Sequence, residues 1–190
     1  TKDYDGAITY CDDATLSGYD DWRLPNINEL QRLVNYGNNN PAIDSVFTGT
    51  DNQGYWSASG YGLNSDNALY VDFADGITGN SIKTDTFLAR CVRGKETVGS
   101  SLSVIWDVVV DNNTGLTWQK ANDDTPINWE EALSYCQFSN LNDKDDWRLP
   151  NIKELSSLID YSVISAPTIY SDFENADSAI YWTSTTFDSN

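Results

Sequence analysis

Asp20-Asp21-Trp22-Arg23-Leu24-Pro25-Asn26-Ile27-Asn28-Glu29-Leu30 returns later in the chain as Asp145-Asp146-Trp147-Arg148-Leu149-Pro150-Asn151-Ile152-Lys153-Glu154-Leu155, with ten of eleven positions identical at an offset of 125. In each copy an Asn follows the proline as an N-cap, and a Glu at the third helical position can complete a capping box. Ile27, Leu30, Leu33 and Val34 then make one apolar face, matched by Ile152, Leu155, Leu158 and Ile159. The pattern predicts helices over 27–36 and 152–161. Cys11 maps onto Cys136 at the same offset, each preceded by Tyr, and Gly54-Tyr55-Trp56-Ser57-Ala58-Ser59 maps onto Ile180-Tyr181-Trp182-Thr183-Ser184-Thr185 at 126. Self-similarity at a fixed spacing marks two tandem copies of one unit.

Working outward, the copies differ at their ends. The first runs on through Ala68-Leu69-Tyr70-Val71-Asp72-Phe73 to Ala89-Arg90-Cys91-Val92-Arg93-Gly94, for which the second shows no equivalent before Asn190. The second opens with Val108-Val109-Val110-Asp111-Asn112-Asn113-Thr114-Gly115-Leu116-Thr117-Trp118-Gln119-Lys120, a strand–turn–strand signal that the first lacks. The polar, Gly/Ser-containing stretch over 94–101 reads as a linker. The expected domains are therefore 1–98, without its N-terminal hairpin, and 99–190, without its C-terminal strands. A first helix over 128–136, capped by Asn128, the second helix after the proline, and short strands around Tyr55, over 68–73 and over 87–92 predict an α+β fold with an antiparallel sheet.

Charge and composition exclude several functions. The chain carries 29 acidic and 11 basic side chains, a net charge of −18. The first domain contributes −7 (14 acidic, 7 basic) and the second −11 (15 acidic, 4 basic). A field this negative repels nucleic acid and anionic lipid, and no run of apolar residues is long enough to insert in a membrane. With no His, the commonest general base and transition-metal ligand are missing. The three Cys at 11, 91 and 136 stand too far apart for a zinc cluster.

Tyr-Cys, Trp-Arg-Leu-Pro before a capped helix, Tyr-Trp-Ser, Tyr-Val-Asp-Phe and Arg-Cys-Val-Arg together resemble the DUF1566 family, the C-terminal domain of the Legionella collagen-like adhesin. The resemblance spans nearly the whole chain apart from the linker. It implies a C-type-lectin-like fold, a location outside the cell or on a bacterial surface, and a role in attachment. The family offers no catalytic residues to transfer, so an enzyme is not expected. The adhesin's sulfated-glycan ligand does not carry over either, because sulfates need clustered Lys and Arg facing them.

The expected function is a non-catalytic adhesion module that recognises a neutral glycan or a protein. The alternative is a structural subunit of a surface filament, in which copies of the chain associate through their incomplete repeats. Tyr61, Asn64, Asp66 and Asn67 lie in a Gly/Asn-rich loop between two strands and are the candidate ligand contacts. Asp72, Asp75, Asp111 and Asn113 offer closely spaced oxygens that suit calcium, though Asx-turns use the same residues. Trp22, Trp147, Trp56 and Trp182 read as core, and Arg23 and Arg148 as structural pins held by the preceding Asp pairs. Cys11 on the first helix and Cys91 on the last strand should lie side by side and form a disulfide. Cys136 is expected to find no partner within these residues.

Overall fold

A computed structural model describes residues 1–38, 40–96, 101–122, 125–163, 168–176 and 179–186. The chain divides into two compact units, residues 1–97 and 98–186. Both mix short helices with small antiparallel sheets.

Unit one begins with α1 (Tyr4–Asp12), whose Asp3 cap accepts a hydrogen bond from the Gly6 amide. Its inward face carries Ala7 and Cys11, both fully buried. The chain then enters β1 (Trp22–Arg23) and α2 (Ile27–Gln31), where Asn26 and Glu29 form the expected capping box. The helix is shorter than its apolar spacing suggests. After Gln31 the bonding tightens to three-residue turns, Leu33 N–H to Leu30 O at 3.1 Å and Val34 N–H to Gln31 O at 3.0 Å. Val34 then pairs with Ile43 in an antiparallel bridge. It is buried as foreseen, but by a strand-like contact.

The main sheet of unit one is a meander of β2 (Gly54–Tyr61), β3 (Asn64–Asp72) and β4 (Ile77–Ile82). Trp56 stands opposite Tyr70 and Tyr55 opposite Val71, so alternation sends these two neighbouring aromatics of β2 to opposite faces. Trp56 meets Tyr4, Tyr70 and Phe87 edge-on at 5.8, 6.3 and 4.7 Å, while Tyr55 meets Phe73 at 5.1 Å. Leu24, Ala68 and Cys11 complete the cluster around Trp56. The stretch predicted as a strand over 87–92 is thinner than expected. Phe87 bridges Lys2, Leu88 bridges Tyr55, and β5 (Val92–Arg93) pairs with β1. Gly76, at φ +83°, turns β3 into β4 beneath Val34, leaving no room for a Cβ.

Unit two opens with β6 (Leu102–Ile105), β7 (Val108–Asp111) and β8 (Thr117–Gln119), paired in that order. Val108 and Val109 are buried. The β7–β8 turn is closed by the Gly115 amide donating to Asp111 O at 2.7 Å, with Gly115 at φ +75°. Helices α3 (Trp129–Gln137) and α4 (Ile152–Ser156) each carry a complete capping box, from Asn128 with Glu131 and from Asn151 with Glu154. As in unit one, the second helix stops well short of Tyr161, and Ile159 pairs instead with Ile169.

Candidate functional site

The repeated motif is a small machine for starting a helix. Glu29 accepts from both terminal nitrogens of the Arg23 guanidinium at 2.7 Å and from the Asn26 backbone amide at 3.0 Å, while Asn26 Oδ1 accepts from the Glu29 backbone amide at 2.9 Å. Glu154 repeats this with Arg148 at 2.7 and 2.6 Å and with the Asn151 amide at 2.9 Å. The arginines are thus pins, but the helix-capping Glu holds them and not the Asp pairs. Asp21 is used differently, accepting from Arg93 at 2.8 Å. The forked ion pair raises the Arg23 and Arg148 pKa values and lowers that of Glu154.

The agreement between copies extends beyond the motif. The Trp22 and Trp147 indoles donate to Leu16 O and Leu141 O at 3.3 and 3.0 Å. The Trp56 and Trp182 indoles donate to Lys2 O and Ile127 O at 3.0 and 2.9 Å. Ser59 and Thr185 hydroxyls accept from the first helical amides of α2 and α4, both at 3.0 Å. All four tryptophans therefore tie their own segments to another with their N–H groups, Trp22 and Trp56 from strands β1 and β2.

Cys11 and Cys91 form a disulfide with an S–S distance of 2.05 Å. It joins the buried face of α1 to the residue before β5. Cys136, on α3 at the position corresponding to Cys11, is a half-buried free thiol, and burial raises its pKa.

Tyr61, Asn64, Asp66 and Asn67 do not form a loop. Tyr61 ends β2, Asn64 opens β3, and the two pair across a two-residue turn at Gly62 and Leu63. The polar composition suggested a loop, yet the pairing of Asn67 and Ala68 with Ile82 and Ser81 of β4 holds this stretch in the sheet. The Asn67 amide is tied on both sides, accepting from Asn64 at 3.3 Å and donating to Asn80 at 2.8 Å. Asn64 Oδ1 accepts from the Asp66 amide at 3.0 Å. Asn64, Asp66 and the Leu63 side chain are exposed at this hairpin end, with Tyr61 half-buried beside them.

The four residues offered for calcium lie in two separate units. Asp72 and Asp75 each accept from the amide two residues on, at 2.8 and 3.0 Å. Asp111 accepts from the Asn113 amide at 2.9 Å and the Thr114 hydroxyl at 2.8 Å, which engages both its oxygens. These are Asx-turn contacts. Among the described residues no group of three or more Cys, Asp or Glu side chains is placed to hold a metal ion.

Unit two contains a feature that reading the motifs one by one did not reveal. A cleft of about 930 Å³ opens between its sheet and its helices, with Val108, Trp118, Cys136, Trp147 and Trp182 in its walls. Trp182 is 50% exposed where Trp56 is fully buried, and Tyr181 is 42% exposed where Tyr55 is 4%. The signal was available in the repeat itself, since aligning Cys136 with Cys11 and Trp182 with Trp56 shows which neighbours unit one supplies.

A capped helix after Trp-Arg-Leu-Pro and a Tyr-Trp segment recur in both units, which defines the class as a tandem repeat of one α+β domain. The sequence profile of the Lcl C-terminal domain matches residues 1–93 and again 107–190. The chain belongs to that family, as two tandem copies of its domain. No curated protein and no solved structure gives a significant match. Among the described residues no helix is long and apolar enough to cross a membrane.

Proposed function

We propose that the chain is a non-catalytic binding module of C-type-lectin-like fold, presented outside the cell or on a bacterial surface or appendage, where it recognises a neutral glycan or a protein. The observation that carries this reading is the exposed end of the β2–β3 hairpin. There Tyr61 offers an aromatic face, Asn64 and Asp66 present exposed amide and carboxylate groups, and Asn67, itself donating to Asn80, accepts from Asn64. An aromatic beside short polar side chains suits hydroxyl-rich ligands at small entropic cost. Family membership supports attachment as the role, and the disulfide fits an oxidising compartment. The net charge of −18 disfavours sulfated or phosphorylated partners.

A glycan array probed with the intact protein, with and without chelator, tests the reading. Binding should favour uncharged glycans and fall on Tyr61→Ala and Asn64→Ala. Preference for heavily sulfated glycans, or binding indifferent to both substitutions, would refute it. Weakening in chelator would show that a cation such as calcium orders the Asp-rich turns.

A further inference from the structure

The meander of unit one ends in a strand edge that is open among the described residues. β4 is its outer strand and pairs with β3 alone. The Lys83 amide donates to Asp66 O at 2.8 Å, which makes 66 and 83 a hydrogen-bonded pair of the antiparallel ladder. Such pairs alternate, so along the same register Ser81 and Gly79 turn their backbone groups toward Ala68 and Tyr70. Thr78, Asn80 and Ile82 therefore turn theirs outward. The Ile82 carbonyl accepts from the Asp85 amide at 2.9 Å. The amides of all three, and the carbonyls of Thr78 and Asn80, make no hydrogen bond to a described residue.

Open edges are usually protected by a charge, a proline, a bulge or a very short strand. β4 has none of these. Its six residues, Ile-Thr-Gly-Asn-Ser-Ile, carry no charge and no proline. Its register on β3 runs unbroken from Asn67–Ile82 to Asp72–Ile77, whereas the β2–β3 pairing shifts at Gly60. Ile77 and Ile82, at its two ends, are 62% and 47% exposed. Charge begins just beyond the strand, with Asp75 before it and Lys83 after it.

We propose that β4 pairs edge to edge and antiparallel with β4 of a second copy of this chain, on a two-fold axis through Gly79. Backbone and charge together fix the register. Outward-turned residues must face outward-turned residues, and the two registers that overlap most of the strand place Thr78 opposite Ile82 or opposite Asn80 of the second copy. The first sets Asp75 against Asp85 of the second copy, with like charges meeting at both ends. The second sets Asp75 against Lys83 of the second copy and Lys83 against its Asp75. Opposite charges across a strand pair stabilise and like charges destabilise, so the second register is the one formed. In it Thr78 and Asn80 exchange backbone hydrogen bonds with Asn80 and Thr78 of the second copy. Exposed Ile77 meets Ser81 of the second copy, and exposed Ile82 meets its Gly76. The chain suits itself as partner because the strand is neutral, acidic at one end and basic at the other. The pairing does not rest on the glycan reading. It bears on it, because Asn67 behind the hairpin end donates to Asn80 at 2.8 Å. A dimer thus carries two hairpin ends on one continuous sheet, as multivalent attachment requires.

Sedimentation of the 190-residue protein over a wide concentration range tests the pairing. The expected result is a reversible monomer–dimer equilibrium that stops at the dimer, because a two-fold pairing closes on itself. The interface is small, so the dimer is weak. Asn80→Pro removes an outward amide, which an edge strand tolerates, and Asn80→Lys sets a charge on the edge. Each should abolish the dimer, and Asn80→Lys decides the matter if the proline variant unfolds. Asp75→Lys or Lys83→Asp alone should weaken association by about tenfold, and the two together should restore it with the signs reversed. Hydrogen exchange reads the register directly. The Thr78 and Asn80 amides should gain protection as concentration rises, while those of Gly79 and Ser81, already bonded to β3, should not change. A protein that stays monomeric, a dimer that survives Asn80→Lys, association that continues past the dimer, or a double charge reversal that restores nothing would overturn the proposal.

Discussion

Replacing both partners of the disulfide, as Cys11→Ala with Cys91→Ala, should release unit one while leaving unit two intact. The bridge spans a sequence separation of 80, and in the chain-entropy model a loop of that length stabilises by about 4.5 kcal/mol at room temperature. Alanine is the suitable replacement because Cys11 is fully buried beside Ala7, Leu24 and Trp56, where a serine hydroxyl would lack water. Domains of this size are typically stable by about 5–15 kcal/mol, so the loss removes a large part of the total. Hydrogen exchange on the intact chain, read peptide by peptide, separates the two units. Amides of β2 and β3 that exchange through global opening of unit one should speed up by about three orders of magnitude, since each 1.4 kcal/mol is about tenfold. Those of α3 and β7 should keep their rates. Acceleration below about tenfold in unit one would refute the claim that the bridge closes this domain. Equal acceleration in both units would refute their independence.

Trp56→Ala should destabilise unit one by about 3–5 kcal/mol, because the ring is fully buried among Tyr4, Tyr70 and Phe87. Trp182→Ala, at the same repeat position but half-exposed, should cost clearly less by chemical denaturation of the intact chain. Gly76→Ala should be more disruptive than Gly115→Ala: both sit at positive φ, but a Cβ at Gly76 meets Val34 and one at Gly115 meets nothing within 4 Å. Thermal unfolding should show the second near the ~1–2 kcal/mol left-handed penalty and the first well above it. Because Arg148 depresses the Glu154 pKa, that ion pair contributes above the ordinary glutamate value of about 4.3 and is lost as pH falls through the lower folded-state value. Glu154→Gln should therefore flatten the acid limb of unit-two stability, measured by exchange of α4 amides.

Local chemistry was legible where one short stretch determines its own structure. Asn26, Glu29 and Arg23 are within reach of each other along the chain, so the capped helix start follows from spacing alone, in both copies. The helix end was not legible, because Leu33 and Val34 continue the helical period while Val34 is claimed by Ile43, a neighbour no local pattern announces. Strand β4 was missed for a related reason. Its sequence, Ile-Thr-Gly-Asn-Ser-Ile, looks like a loop. It becomes a strand because β3 offers it a full edge and because Gly79 leaves room for the Tyr70 ring, 2.5 Å from where a Cβ would stand. β6 escaped notice next to the polar linker and forms by pairing with the strongly β-prone Val108, Val109 and Val110.

The same distinction applies to the candidate sites. Asx residues at 61–75 and 111–113 advertise turns, loops and cation sites equally well, and which of these they make depends on what lies across from them. Asn67 finds Asn80, and Asp111 finds Thr114, so both side chains bind the protein itself. Asn64 and Asp66, three positions and one position nearer the exposed turn, keep their side chains at the surface. The cleft of unit two obeys the opposite logic. Its walls mix aromatic and apolar residues with charged ones such as Lys120, Asp146 and Arg148, and Cys136 and Trp182 among them hold the repeat positions of the buried Cys11 and Trp56. Trp56 is buried because Tyr4, Tyr70 and Phe87 pack edge-on around it, whereas Trp182 is half-exposed. What sets the candidate contacts at the hairpin end apart is therefore which polar side chains the fold leaves at the surface, Asn64 among them although it also bonds Asn67 and the Asp66 amide. At the positions of Trp56 and Trp182 it is burial that differs, and only the comparison of one copy with the other makes that difference visible.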